Sequence, residues 1–413
     1  MPIERPLRLL FAVPYMPSQV RVRPYYLART LAQRGHAVTV LAPAESEADM
    51  ADARRLTEQG VSVEAFPLPR WRTLSNGLLA LPTRQPLQAA YAWQPQLAGR
   101  LSARLAGCDV AHVEHLRGAR YGLAALRTRT GQTPPVIWDS VDCISLLFRQ
   151  AARLSDSRFG RILARLDLAR TERYEGWLVG QFAQVLVTAG ADRQALMELA
   201  RRANVTPRLT VVTNGVDTDY FRPNPDRPRD PATVVVSGKM SYHANISMVQ
   251  RLVRRILPRV WSVRPDVRLV IAGKSPPAAV TALARHPQIT VTGTVSDLRP
   301  YLQQATLAAA PLTYGVGLQN KILEAMACGA PVIASPLALA ALAGIPGRDL
   351  VAADDDEAFA AAILDLLAQP ERRSALSAAG LTYVHRHHHW PTLVADLEDV
   401  YFEALDRVAQ SLA

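Results

Sequence analysis

The chain has 413 residues, of which 49% are hydrophobic and 20% charged, and its net charge is +11. This balance excludes a disordered chain, and the length allows two domains, because single cores stop growing at roughly 250 to 300 residues. The three cysteines are too few for a disulfide framework and lack metal-ligand spacing. The basic charge fits nucleic acid, anionic lipid or phosphorylated substrates as partners, or a solvated surface with no partner.

The N-terminal residues favour a first strand over a signal peptide, and no apolar run reaches the roughly 20 residues that cross a bilayer. We therefore expect a cytoplasmic protein, with peripheral contact to the inner face of the membrane as a further option. The segment RWRTLSNGLLALPTRQPLQAAYAW favours such contact, because it mixes arginine with tryptophan, leucine and tyrosine. An ordinary loop packed on its own domain is the alternative.

Strands and helices alternate from the start of the chain. Residues 7–13 form an apolar run typical of a buried parallel strand, and the helical pattern PYYLARTLAQRG and the strand AVTVLAP follow. Further strands are predicted at VSVEAFPL, DVAHVEH, PVIWDSVD and AQVLVTA, with a long helical stretch over about 146–182 before the last. This alternation predicts a doubly wound α/β domain.

A proline-rich, charged stretch at 221–233 predicts a domain boundary, after which a second series of strands begins, with a helix over about 245–261 after its first strand. We predict an N-terminal domain over 1–220, a C-terminal domain over 221–390, and a helix over 391–413 that packs back on the first domain. Ligands of open parallel sheets bind at the carboxyl ends of the strands, so two such domains facing one another would enclose a cleft.

Lysine is rare in this chain. Of 47 basic residues only Lys239, Lys274 and Lys321 are lysines, and each follows a predicted strand of the second domain. A lysine is a compact charge suited to phosphate, although three surface lysines placed by chance remain the alternative. Lys321 stands in YGVGLQNKILEAMACGAPVIAS, which predicts a glycine-rich turn, a helix ended by Gly329, and a buried strand.

The motifs VVTNGVDTDYFRP, VSGKMSYHANI, RPDVRLVIAG and GLQNKILEAMACGAPVIAS resemble the retaining glycosyltransferases with the GT-B fold, the fourth family in the usual classification. Within that family the chain looks most like bacterial enzymes of exopolysaccharide clusters. The resemblance implies two Rossmann-like domains facing across a cleft. It also implies a nucleoside diphosphate sugar held by the second domain, an acceptor held by the first, and no cofactor or metal.

The resemblance also implies donor-site residues. Glu324 matches the second glutamate of the family's pair, which grips the ribose, and Lys239 falls where an arginine neutralises the diphosphate. Gly315, Val316 and Gly317 match the loop that faces the sugar and the β-phosphate.

The chain departs from the family at three places. Val316 replaces the first glutamate of the pair, Asn245 replaces the second diphosphate cation, and PSQVRVR replaces a glycine pair after the first strand. We expect Lys321 to restore one missing charge and Arg21 or Arg23 another, and we place these two arginines on the acceptor side.

In the first domain, Glu114 and His115 end the strand DVAHVEH, and they are the candidate catalytic residues together with Lys239. His112 alternates into the strand and is more typical of a packed core residue. Asp139 and Asp142 end another strand and are candidates for orienting an acceptor hydroxyl, with a loop-capping pair as the alternative.

The run HRHHHW at 385–390 does not predict a metal site, because consecutive histidines do not converge on one ion and no spaced partners accompany them. We expect a metal-independent retaining transferase of polysaccharide or glycolipid synthesis, with no nucleic acid partner. Two alternatives remain open: a nucleotide-sugar-binding subunit without turnover, and a nucleotide-sugar epimerase on the same fold. The base, the sugar and the acceptor are not predicted.

Overall fold

The computed structural model describes residues 5–127, 133–154, 158–315 and 318–410, with side chains over the same ranges except 154 and 158–165. The chain divides into two compact units. The first comprises Met1–Arg149, Leu163–Thr213 and Trp390–Ala413, and the second comprises Gln150–Ile162 and Asn214–His389.

Thirteen strands form the two sheets within the described ranges. They are β1 (Arg8–Ala12), β2 (Ala37–Ala44), β3 (Ser62–Pro67), β4 (Val110–Glu114), β5 (Val136–Val141), β6 (Gln184–Val187), β7 (Leu209–Val211), β8 (Thr233–Ser237), β9 (Arg268–Ala272), β10 (Ile289–Val291), β11 (Leu307–Ala310), β12 (Val332–Ala334) and β13 (Val351–Ala352). The first unit holds a sheet of order β3-β2-β1-β4-β5-β6-β7, and the second a sheet of order β10-β9-β8-β11-β12-β13. Every pairing is parallel, which confirms the prediction of two doubly wound, Rossmann-like domains.

The helices cover the faces of these sheets. They are α1 (Val22–Gln33), α2 (Glu47–Thr57), α3 (Arg70–Ala80), α4 (Leu87–Ala90), α5 (Pro95–Arg104), α6 (His115–Arg127), α7 (Ile144–Leu154), α8 (Arg158–Leu178), α9 (Gly190–Arg202), α10 (His243–Arg251), α11 (Leu257–Trp261), α12 (Ala278–Thr281), α13 (Arg299–Gln304), α14 (Asn320–Ala327), α15 (Pro336–Leu339), α16 (Asp356–Ala368), α17 (Pro370–His387) and α18 (Trp390–Gln410). None of the helices in these ranges combines the length and the apolar character that a bilayer span requires.

Apolar side chains fill both faces of the first sheet. On one face α1 and α18 pack together, and Tyr26 stacks on Trp390 with ring centroids 5.4 Å apart. On the other face α5 and α6 contribute Leu97, Leu101 and Tyr121. Because both faces are covered, β4 is buried along its whole length.

The helical stretch predicted over about 146–182 is helical in its described residues up to Leu178, as α7 and α8. A second predicted helix differs in the structure. The predicted helix over 245–261 is divided into α10 and α11 by a π-helical turn at Leu252–Ile256, directly before Pro258. Proline has no N–H to donate to the preceding turn, which is the physical reason for irregularity at this point.

The segment RWRTLSNGLLALPTRQPLQAAYAW, whose alternative reading was a loop, contains the helices α3 and α4. Neither helix was predicted, and for α3 the reason is that its apolar residues do not turn towards the core.

Candidate functional site

The loops after β8 and β9 meet backbone to backbone in the second unit. Gly238 and Gly273 have φ values of +139° and +150°, which other residues rarely adopt. A Cβ atom added to Gly273 would lie 1.8 Å from the carbonyl oxygen of Gly238, so only glycine fits there. The carboxyl ends of these two strands therefore present bare backbone, the kind of surface that approaches a phosphate closely.

Three of the predicted donor residues come together beside this loop. The Nζ atom of Lys321 donates to Oδ1 of Asn245 across 2.5 Å, and Nδ2 of Asn245 donates to the carbonyl oxygen of Lys239 across 3.0 Å. Asn245 is only 5% exposed, whereas the side chain of Lys239 is exposed. The positive charge of Lys321 thus stands at the position of Asn245, between the start of α14 and the start of α10.

Lys321 and Glu324 lie in the first two turns of α14, and both are half-buried. Burial raises the pKa of Glu324 to about 7, against the opposing attraction of Lys321. Burial likewise lowers the pKa of Lys321 to about 8, against the attraction of Glu324. Both groups therefore titrate near neutral pH, which is typical of groups that await a charged or polar ligand.

The predicted glycine loop is described only at its first residue. Gly315 has a φ of +154°, which agrees with a position that needs glycine, while Val316 and Gly317 lie outside the described residues. The preceding Tyr314 is buried and stacks on His243, with ring centroids 5.3 Å apart. Its hydroxyl is 2.8 Å from Nδ1 of His243. This pair ties the loop to the start of α10, and no spacing in the sequence pointed to it.

At the end of β4 in the first unit, Glu114 is buried and accepts a hydrogen bond from the Tyr15 hydroxyl across 2.8 Å. Burial, and after it the charge of Asp139, raises the pKa of Glu114 to about 8. The carboxyl is therefore protonated at neutral pH, and in that state it is suited to donating a hydrogen bond rather than to accepting a proton. Tyr15 was not among the predicted residues.

His115 follows Glu114 in a left-handed conformation, with a φ of 62°. Its carbonyl oxygen accepts a hydrogen bond from Nε1 of Trp138 across 3.2 Å, which holds the turn between β4 and α6. Burial, with the charge of Arg117, lowers the pKa of His115 to about 3, so its ring is neutral at neutral pH. A non-glycine residue in this conformation is a local strain of the kind found at ligand sites.

Arg23 and Asp139 form an ion pair inside the first unit, with Nε and Oδ2 2.6 Å apart and side chains 3% and 0% exposed. His112 lies 3.4 Å from the same oxygen, and its other ring nitrogen contacts the Tyr401 hydroxyl of α18 at 2.8 Å. Burial by itself raises the pKa of Asp139, but the charge of Arg23 and the contact with His112 outweigh it and lower the pKa to about 2. These contacts favour a structural role for Arg23 and Asp139, in place of the anion and acceptor contacts predicted for them.

Arg21 and Asp142 are more accessible than that pair. Arg21 is exposed, and its guanidinium lies over the ring of Tyr15 at 4.9 Å from the centroid. Asp142 is half-buried and accepts a hydrogen bond from the Thr188 hydroxyl across 3.3 Å. Burial raises the pKa of Asp142 to about 6, against that hydrogen bond. Of the four predicted acceptor-side residues, these two keep polar atoms that a ligand can reach.

The histidine run 385–389 includes one buried member. The two ring nitrogens of His388 lie 2.9 Å from the Tyr383 hydroxyl and 2.8 Å from the carbonyl oxygen of Asn214. Both nitrogens are thus occupied in holding the end of α17. Among the described residues no group of three or more His, Cys, Asp or Glu side chains could hold a metal ion.

Two family models match the chain. A model described as Glycosyltransferase Family 4 matches residues 20–220, and one described as Glycosyl transferases group 1 matches residues 231–369. Together they cover most of both units.

Sequence relatives carry related names. A GDP-mannose-dependent alpha-(1-6)-phosphatidylinositol monomannoside mannosyltransferase of Mycolicibacterium smegmatis is 30% identical over 211 residues, which is 45% of this chain and 54% of that enzyme. A D-inositol 3-phosphate glycosyltransferase of Thermobispora bispora is 31% identical, over 50% of this chain and 53% of that enzyme. The chain thus spans about half the length of these relatives. A D-inositol 3-phosphate glycosyltransferase of Stackebrandtia nassauensis is 25% identical over 87% of this chain and 86% of its own length.

Solved structures share the fold at low sequence identity. The Anabaena protein HepE in complex with UDP has a TM-score of 0.68 at 15% identity, and the match covers 96% of this chain and 100% of HepE. Sucrose-phosphate synthase from Thermosynechococcus elongatus has a TM-score of 0.70 at 16% identity, over 97% of this chain and 100% of that one. With both units matched by these models and by this fold, the chain belongs to the GT-B glycosyltransferases of the family 4, group 1 type.

Proposed function

We propose that the protein is a retaining glycosyltransferase, which moves a sugar from a nucleoside diphosphate sugar to a hydroxyl group of a carbohydrate or lipid-linked acceptor. The contact between Lys321 and Asn245 carries this proposal. It keeps a cation at the place where the family's second diphosphate cation is replaced by asparagine. In a transferase this cation also stabilises the charge that develops on the diphosphate as the sugar leaves.

The chain's own residues supply the donor contacts in this proposal. Lys239 and Lys321 neutralise the diphosphate, and the backbone at Gly238 and Gly273 lets its oxygens approach closely. Glu324 accepts hydrogen bonds from the ribose hydroxyls once its carboxyl group is ionised. The starts of α10 and α14 add the positive ends of two helix dipoles.

We infer retention of configuration from the resemblance to the retaining family, and because the described residues offer no evident protein nucleophile for a covalent intermediate, we propose attack on the same face as departure. The bond between the anomeric carbon and the diphosphate oxygen breaks, and the acceptor oxygen forms its bond on the same face. The acceptor's hydroxyl proton passes to the leaving phosphate oxygen. The lysines stabilise the charge that develops there, which is the role that a metal ion fills in other transferases.

The first unit serves the acceptor and the transferred sugar in this proposal. Glu114, protonated at neutral pH, donates a hydrogen bond to a sugar hydroxyl, and neutral His115 accepts or donates one beside it. Arg21 and Asp142 orient the acceptor. We place the reaction at the cytoplasmic face of the membrane, as part of polysaccharide or glycolipid synthesis. The names of relatives that act on phosphatidylinositol mannosides support this setting.

A screen of UDP-, GDP- and dTDP-sugars tests the proposal. We expect one of these donors to raise the melting temperature and to release nucleoside diphosphate slowly in the absence of acceptor. Stabilisation by a donor without release, in the presence of plausible acceptors, would favour a binding subunit. Interconversion of two donors without acceptor would favour an epimerase.

A further inference from the structure

Helix α3 turns its apolar side chains outward. Four of them, Trp71, Leu74, Leu78 and Leu79, are between 64% and 72% exposed, and Leu81 directly after the helix is half exposed. At about 100° per residue, Trp71, Leu74, Leu78 and Leu81 fall on one face, and Leu79 lies at its edge beside Trp71. We call these five side chains the α3 face.

Small and polar residues of α3 face the protein instead. Nδ2 of Asn76 donates to the carbonyl oxygens of Tyr91 and Trp93 across 3.1 and 2.9 Å. Ala80 is the buried residue of the helix. The helix is therefore fixed to the first unit by its polar side, which is the reverse of an ordinary surface helix.

Positive charge surrounds the α3 face. On the helical wheel Arg70 and Arg72 lie on its two edges, and Arg84 follows in the exposed turn after the helix. Between Glu64 and Asp109, residues 65–108 contain no acidic residue.

The α3 face and the arginines around it form a surface that we call the patch. Helix α8 extends the patch beside the end of α3. Nη2 of Arg170 donates to the carbonyl oxygen of Leu81 across 3.1 Å. One turn before Arg170, Leu166 is 71% exposed. The patch thus joins apolar side chains to arginines on two neighbouring elements.

We propose that the α3 face inserts into the headgroup region of an anionic lipid bilayer. The leucines and Trp71 enter the boundary of the acyl chains, while Arg70, Arg72 and Arg84 pair with lipid phosphates. The inference deepens the proposed function and rests on it for its purpose, because contact with the bilayer brings a lipid-linked acceptor to the enzyme.

A bilayer fits this patch better than a second copy of the chain. In a symmetric dimer formed through the α3 face, the arginines of both copies would meet at the interface. Residues 65–108 contribute no carboxylate that could pair with them. A bilayer of anionic lipid supplies an apolar layer and negative charge at adjacent depths.

Cosedimentation with vesicles tests the inference. The vesicles are made of phosphatidylcholine alone, or with phosphatidylglycerol replacing about a third of it. We expect the protein to bind the anionic vesicles at least about tenfold more tightly at low salt. The variant Leu74→Ser/Leu78→Ser should lose at least about tenfold of that binding, and Arg70→Gln/Arg72→Gln should lose the preference for anionic vesicles. The matched control, Val263→Ser/Ile345→Ser, removes exposed apolar side chains from the second unit and should bind as the parent protein does.

Calorimetry with UDP and GDP accompanies these measurements. We expect unchanged nucleotide affinity in Leu74→Ser/Leu78→Ser, so that loss of lipid contact is separated from loss of the nucleotide site. Equal binding of the parent and the leucine variant to anionic vesicles would overturn the inference. So would a dimer of the parent protein that the leucine variant abolishes, with no vesicle binding by either.

Discussion

The Nζ atom of Lys321 lies 2.5 Å from Oδ1 of Asn245, so a lysine from α14 stands beside an asparagine from α10. The residues are 76 positions apart in the sequence. Asn245 stands where the family has its second diphosphate cation, and Lys321 supplies a positive charge at that place.

Glu324→Ala should weaken binding of the free nucleoside diphosphate by about 1.5 to 3 kcal/mol, because it removes an ionised acceptor of hydrogen bonds from the ribose. Isothermal titration calorimetry measures this change. Glu371→Ala, on the exposed first turn of α17, is the control and should bind as the parent protein does. Unchanged affinity in Glu324→Ala would remove the ribose assignment.

Lys321→Met should weaken binding of the nucleoside diphosphate far more than binding of the nucleoside, because the lysine interacts with the diphosphate charge. Lys239→Ala should do the same, and Lys274→Ala should have the smallest effect of the three lysines. Adding Asn245→Lys to Lys321→Met should recover part of the lost affinity, since it returns a cation to the same position. If the folded double variant recovers no affinity, Lys321 does not supply the cation that the family has at the position of Asn245.

Nucleotide affinity should be greatest between about pH 7 and 8. Glu324, with its pKa raised to about 7 by burial, becomes an ionised acceptor for the ribose as the pH rises through that value. Lys321, with its pKa lowered to about 8 by burial, loses its charge as the pH rises further. Calorimetry from pH 6 to about 9 measures the profile. In Glu324→Gln the acidic limb should disappear, and its persistence would assign that limb to another group.

Glu114→Gln should change how stability depends on pH. The parent carboxyl has a folded pKa raised to about 8 by burial and by the charge of Asp139, so its contribution to stability is complete at acid pH and declines as the pH rises towards 8. Glutamine has no such dependence. As the pH rises from the unfolded to the folded pKa value of Glu114, the free energy of unfolding of the variant should therefore rise relative to that of the parent protein by up to about 1.4 kcal/mol per pH unit. Urea unfolding at several pH values measures the difference, and Glu58→Gln, at an exposed position, should show none. A constant difference at every pH would mean that Glu114 is ionised in the folded protein.

Asp139→Asn should destabilise the first unit by about 3 to 5 kcal/mol, because it leaves Arg23 charged and buried without its anion. Thermal or chemical unfolding measures this loss, and Asp266→Asn, which breaks an exposed pair with Arg264, should change stability little. A variant that unfolds like the parent protein but loses transfer activity would return Asp139 to the acceptor site.

The fold could be predicted because its signals are local. Strands such as β1 and β8 are apolar runs, helices such as α1 show a helical period, and glycine marks the end of α14, where Gly329 has a φ of +73°. The positions of Glu114, Lys239 and Asn245 at strand ends or helix starts follow from the same alternation.

The contacts within the candidate site depend on residues far apart in the chain. Arg23 and Asp139 are 116 positions apart, and His112 reaches Tyr401 across 289. The periodicity of a sequence does not predict contacts between such distant residues, so the burial of Arg23 was not predicted. Helix α3 was missed for a different reason: its apolar face turns away from the core, which a rule that assigns apolar residues to the interior does not detect.

The most direct test of the account is a time-resolved NMR measurement of the sugar that the protein releases from the donor identified by screening. Slow hydrolysis in the absence of acceptor should release nucleoside diphosphate, and the first sugar to appear should have the same anomeric configuration as the donor, before mutarotation. The rate should fall in Lys321→Met. First appearance of the opposite anomer, or no release from any UDP-, GDP- or dTDP-sugar with or without acceptors, would contradict a retaining glycosyltransferase.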